Sequence, residues 1–176
     1  ALEHLDDAAA AQSRSSTASA LDRAKLASSV GVARLYLGQY DAALSDFANA
    51  GRLYASLPGE TVGQAESLRN EAVVHIERGD FARAGELFAK AVAVLPTERA
   101  AERAIGFNGQ GNALIKQGRA DEALPPLNAA LATLRRGAPT IELARTLESL
   151  GSAYLLLGRH ADAQAAFVES YTGSAR

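Results

Sequence analysis

The segments GQYDAALSDFANA (38–50), GDFARAGELFAKA (79–91), GRADEALPPLNAA (118–130) and GRHADAQAAFVES (158–170) share one pattern: Gly, any residue, an aromatic or small residue, then Ala three positions on. Their glycines, Gly38, Gly79, Gly118 and Gly158, are spaced by 41, 39 and 40 residues, which marks four copies of one structural unit. Each glycine is preceded by a second shared piece, VGVARLYLG, EAVVHIERG, QGNALIKQG or LGSAYLLLG, with a small residue seven positions before it: Gly31, Ala72, Gly111 and Gly151. Ala, Leu and Tyr recur at intervals of three and four, so both pieces read as helix. The Gly between them is the turn, because a left-handed residue there lets the chain leave one helix and start the next. Small side chains on the first helix and Ala43, Ala84 and Ala123 on the second allow close antiparallel approach. Phe47, Phe88, Leu127 and Phe167 are expected to fill the gap towards the following unit.

Composition narrows the function. The 18 Lys+Arg against 20 Asp+Glu give the 176-residue chain a net charge of −2, so there is no cationic excess to hold nucleic acid or an anionic membrane. Cys is 0, which excludes disulfides, thiolate metal sites and cysteine nucleophiles. His4, His75 and His160 are too far apart in sequence for a local ligand pair. No stretch has the roughly 18 apolar residues of a membrane helix. We expect a soluble chain, with the cytoplasm favoured, and no cofactor or metal.

Taken together, the small residue of the first helix, the turn Gly, and the Ala, aromatic and Ala of the second resemble the tetratricopeptide repeat over about residues 18–171. The period is near 40 rather than 34 residues, as in long-helix arrays such as kinesin light chains. The tyrosine usual three residues after the small residue stands only at Tyr154, with Arg34, His75 and Leu114 in its place elsewhere. The resemblance implies an all-α, right-handed superhelix of helix–turn–helix repeats at about 18–56, 61–95, 98–136 and 140–171. Residues 1–12 read as the second helix of a truncated leading repeat with Leu2, Leu5 and Ala9 as its buried stripe, so the chain is expected to be a piece of a longer protein. Thr61 with Gln64 offers a capping box, and Pro125 and Pro126 predict a late start or a kink in the sixth helix of the array. His160 is expected to cap the last turn.

In the family, the first helix of each repeat lines the concave face. Residues spaced i, i+3, i+7 share a helix face, and the family's groove positions then become Lys25, Ser28 and Val32; Glu66, Arg69 and Val73; Ile105, Asn108 and Asn112; and Arg145, Glu148 and Ser152. Asn amides both donate and accept, which suits a peptide backbone. Arg69, Arg145 and Lys25 could grip a carboxylate, but Glu66 and Glu148 stand three residues away as ion-pair partners. GFNGQGN (106–112) lies inside a helix with no strand before it, so it is not a dinucleotide loop. No Ser, His and Asp arrangement is suggested, and the chain is expected not to be an enzyme.

The reading is therefore a scaffold whose concave groove binds a protein or peptide partner, with no nucleic acid and no membrane. The alternative is a ligand- or peptide-sensing module of a multidomain bacterial regulator or protease. Leu2, Leu5 and Ala9 at one end and Phe167 and Tyr171 at the other leave self-association open.

Overall fold

Ala-rich periodic segments separated by single glycines become helix pairs. The computed structural model describes residues 19–136 and 141–173. They form α1 (Ala20–Tyr36), α2 (Tyr40–Ala55), α3 (Thr61–Glu77), α4 (Phe81–Val94), α5 (Ala100–Lys116), α6 (Ala120–Leu134), α7 (Ile141–Leu156) and α8 (His160–Gly173), with no strand among them. The chain is an all-α, right-handed superhelix of helix–turn–helix units, each helix packed against the next in sequence. The expected helix at residues 1–12, with Leu2, Leu5 and Ala9, lies outside the described residues, as does His4.

Each turn is built alike. Gly38, Gly79, Gly118 and Gly158 have φ of 71°, 78°, 75° and 71°, a conformation a side chain would strain. The residue after each Gly donates its amide back to the helix it has left: Gln39 to Arg34 O (2.9 Å), Asp80 to His75 O (2.8 Å), Arg119 to Leu114 O (3.0 Å) and Arg159 to Tyr154 O (2.8 Å). These bonds satisfy carbonyls that a helix end would otherwise leave open.

Within a unit, the small residue admits the large one of the partner helix. A Cβ on Gly31 would stand 2.7 Å from the Phe47 ring, on Gly111 2.5 Å from Leu127, and on Gly151 2.6 Å from the Phe167 ring. Phe47, Leu127 and Phe167 thus fill space inside their own unit rather than only towards the following one, because the glycine opens the nearer gap. Phe167 is accordingly half-buried, and of the expected terminal apolar pair only Tyr171 is fully exposed. Between units the same device recurs, Gly63 lying under Tyr54 and Gly106 under Val92. Fully burying a side chain such as Phe47 or Leu127 is worth about 1.5–3 kcal/mol, so these contacts carry much of the array's stability.

The expected cap at Thr61 and the late start of the sixth helix are corrected. Thr61 is the first residue of α3 rather than its cap; Glu60 precedes it and makes no side-chain capping bond. Gly59, at φ 83°, and the Glu60 amide donating to Leu57 O at 3.3 Å carry the chain into the helix one residue early. Likewise α6 is not delayed by Pro125 and Pro126 but starts at Ala120, two residues after its turn Gly like the other second helices. Burial of Ala120 and Ala123 fixes that start, and the carbonyls the prolines leave unpaired belong to Asp121 and Glu122, which are exposed to water.

Candidate functional site

The first helices α1, α3, α5 and α7 touch one another in series, and these four helices carry every residue singled out for binding. The structure gathers Asn108, Asn112, Arg145 and Ser152 into one groove segment of about 470 Å³ between α5 and α7, together with Ile105, Glu148, Ser149, Gly109 and Phe88.

Its centre is a hydrogen-bond cluster. The Oδ1 of Asn108 accepts from Asn112 Nδ2 at 3.2 Å and lies 3.1 Å from Ser149 Oγ, whose single proton is shared between this oxygen and Arg145 O at 2.8 Å. Because both contacts fall on the Asn108 oxygen, its amide NH2 and the Asn112 oxygen are left with no partner among the described residues. Both residues line the groove, so the pair offers one amide donor and one amide acceptor four residues apart on one helix. Ser152 donates to Glu148 O at 2.9 Å, and Ser170 approaches the Glu148 carboxylate at 3.4 Å from α8. Arg145 is exposed and has no ion-pair partner among the described residues, so the expected pair with Glu148 does not form.

The other predicted residues lie elsewhere on the first helices. Arg69 on α3 is mostly buried, pairs loosely with Glu66 at 3.7 Å, and has a buried Nη1 without a hydrogen-bond partner. Burial pulls its pKa down from the ordinary value, opposed by the charges of Glu66 and Glu102. Lys25 is exposed, Ser28 half-buried beside Tyr54, and Val32 packs beside Ala43 and Phe47. Val73 lines a separate hollow with Leu35, Tyr36, Tyr40 and Glu77. The structure does not bring Lys25, Arg69 and Arg145 into one pocket.

Arg34 and His75, in the usual tyrosine position, hold intramolecular partners: Arg34 pairs with Asp46 at 2.8 Å and His75 Nδ1 lies 3.3 Å from Asp80. His160 is the exposed first residue of α8 and does not cap the turn, since the Arg159 amide already closes it. Among the described residues no group of three or more His, Asp or Glu is placed to hold a metal, and no helix is long and apolar enough to cross a membrane. The groove residues not foreseen were Ser149, Gly109 and Phe88. Aligning the four repeats exposes the first two: the position two before the small residue reads Ser29, Asn70, Gly109 and Ser149.

The sequence matches the tetratricopeptide repeat family over residues 22–97 and 102–174. No curated protein matches it significantly. Among solved structures, BtubC from P. vanneervenii superposes with a TM-score of 0.83 at 19% identity, covering 97% of this chain and 70% of that one. Aspartyl phosphate phosphatase F from Bacillus subtilis gives 0.79 at 14% identity, covering 89% of this chain and 41% of that one. The Rap conjugation gene regulator of the plasmid pLS20, in complex with the Phr* peptide, gives 0.67 at 20% identity, covering 86% of this chain and 42% of that one. At these identities the likeness shows the fold. It also corrects the expectation that the chain is not an enzyme: a phosphatase carries this fold, so a helical-repeat array does not exclude catalysis. That exclusion rested on missing nucleophile and base motifs, which probe only some reaction classes.

Proposed function

The chain belongs to the tetratricopeptide repeat family, and we propose that it is a peptide-sensing module whose groove between α5 and α7 binds an extended peptide segment. One observation carries this reading: Asn108, bonded through its oxygen to Asn112 and Ser149, lines with Asn112 a groove of about 470 Å³, which leaves one amide donor and one amide acceptor of the pair available to a ligand. An amide held in this way is already ordered, so less entropy is lost when a peptide backbone docks on it.

A sensing role is favoured over a passive scaffold by two of the structural likenesses. One relative is a gene regulator in complex with a peptide, and this chain spans 42% of it; another is the phosphatase. In this reading peptide binding bridges α5 and α7 and alters the pitch of the superhelix, which signals to other parts of a regulator. Lys25, Ser28, Arg69 and Val73 would extend the contact along the earlier repeats.

The test begins with peptides selected from a randomised display library and measured by calorimetry. Asn108→Ala combined with Asn112→Ala is expected to weaken binding about tenfold or more while leaving the thermal midpoint within a few degrees. Unchanged affinity would exclude this groove. Small-angle scattering that shows the same dimensions with and without the peptide would remove the sensing role and leave simple binding.

A further inference from the structure

The helix α5 carries Gly106, Gly109 and Gly111, three residues that weaken a helix. Gly106 and Gly111 clear Val92 and Leu127 in the buried core. Gly109 differs, because it lies at the groove: a Cβ there would overlap the Phe88 ring, and both residues line the groove segment. The other repeats have Ser29, Asn70 and Ser149 at this position. In repeat three the Phe88 ring occupies the space a side chain at Gly109 would take and, though only 6% exposed, lines the groove there. One turn before Gly109, Ile105 shares that lining and is 38% exposed. The groove is thus apolar at Phe88, Gly109 and Ile105, and hydrogen-bonding at Asn108, Asn112 and Ser152.

Resting on the peptide-binding reading, we propose that Phe88, Gly109 and Ile105 form a side-chain subsite that takes one aliphatic residue of the bound peptide. The flanking peptide unit is held by Asn108 and Asn112, whose positions on α5 interleave with those of Ile105 and Gly109. A carboxylate or ammonium placed there would lose water against Phe88 and Ile105; the groove's charged residues, Arg145 and Glu148, belong to the opposite helix α7. A hydrogen or methyl side chain would bury less apolar surface against Ile105 and Phe88. The groove therefore selects Leu, Ile, Val or Met over Gly, Ala, Asp and Lys.

The probes are capped peptides Ac-Ser-Gly-Xaa-Gly-Ser-NH2 with Xaa as Leu, Ala or Asp, titrated into isotope-labelled protein and followed by NMR. The Leu peptide is expected to shift the Ile105 methyl signals together with the side-chain amides of Asn108 and Asn112. The Ala and Asp peptides are expected to shift the amides alone and to bind about tenfold more weakly. Ile105→Asp, at a position 38% exposed, is expected to erase the Leu advantage while the amide shifts persist and the thermal midpoint stays within a few degrees. Equal affinity for the three peptides, or a Leu preference that survives Ile105→Asp, overturns the subsite and leaves peptide binding standing. If no peptide moves the Asn108 and Asn112 amides, the peptide-binding reading falls, and the subsite with it.

Discussion

Glu71 shows how burial and charge compete at one residue. It is half-buried on α3; loss of water raises its pKa above the usual carboxylate range, and the charges of Arg83 and Lys90 on α4 only partly offset this. A folded-state pKa above the unfolded one means that the native protein holds the proton more tightly. The ionised carboxylate therefore costs stability above its raised pKa, and the cost disappears below the unfolded value of about 4.3, where both states are protonated. Glu71→Gln is accordingly expected to stabilise the chain at neutral pH and to converge with the parent protein as the pH falls towards 4. Urea titrations at several pH values check this; a Gln variant less stable at neutral pH would show that the attraction to Arg83 and Lys90 prevails. Asn108 presents the opposite case, a neutral side chain whose hydrogen bonds orient it at no cost in charge burial.

Helix ends show what the sequence discloses at the scale of an element. The Ser19 side chain accepts from the Asp22 amide at 3.1 Å while Asp22 accepts from the Ser19 amide at 3.3 Å, a reciprocal cap at the start of α1. Ser19→Ala is expected to cost about 1 kcal/mol, read as a lower urea midpoint with an unchanged slope. An unaltered midpoint would mean that α1 is held by its packing alone. The four turn glycines were legible because positive φ singles out one residue type, and their 39–41 residue spacing carried the whole architecture. A cap was expected at Thr61, where none forms, because a Ser or Thr caps only when the backbone before the helix is extended, as it is at Ser19. At Thr61 the backbone depends on Gly59 and Leu57, residues outside the four-residue motif. The same limit applies to the groove. Asn108 and Asn112 could be found from spacing on one helix, whereas Ser149 joins them from 41 residues away and Phe88 emerges only where Gly109 lacks a side chain.

Across the molecule the core is divided. Separate apolar clusters sit around Phe47, Phe88 and Leu127, each shared by neighbouring helices. Stability in such an array is a sum of local terms, so damage in one unit is expected to stay near that unit. Gly151→Leu provides the test, because the new side chain must enter space already held by Phe167, its Cβ alone falling 2.6 Å from the ring. Overpacking of this kind costs about 1–3 kcal/mol. Hydrogen exchange is expected to show faster opening of α7 and α8 while α1–α4 keep their protection. Ser149 ties α7 to Asn108, so the groove should loosen with its outer wall and peptide affinity should fall even though Gly151 does not line it. If protection is lost equally from α1 to α8, the array opens as one cooperative body. The separate clusters would then be coupled through the long helices, and a peptide bound at α5 and α7 would be felt at the far end of the superhelix.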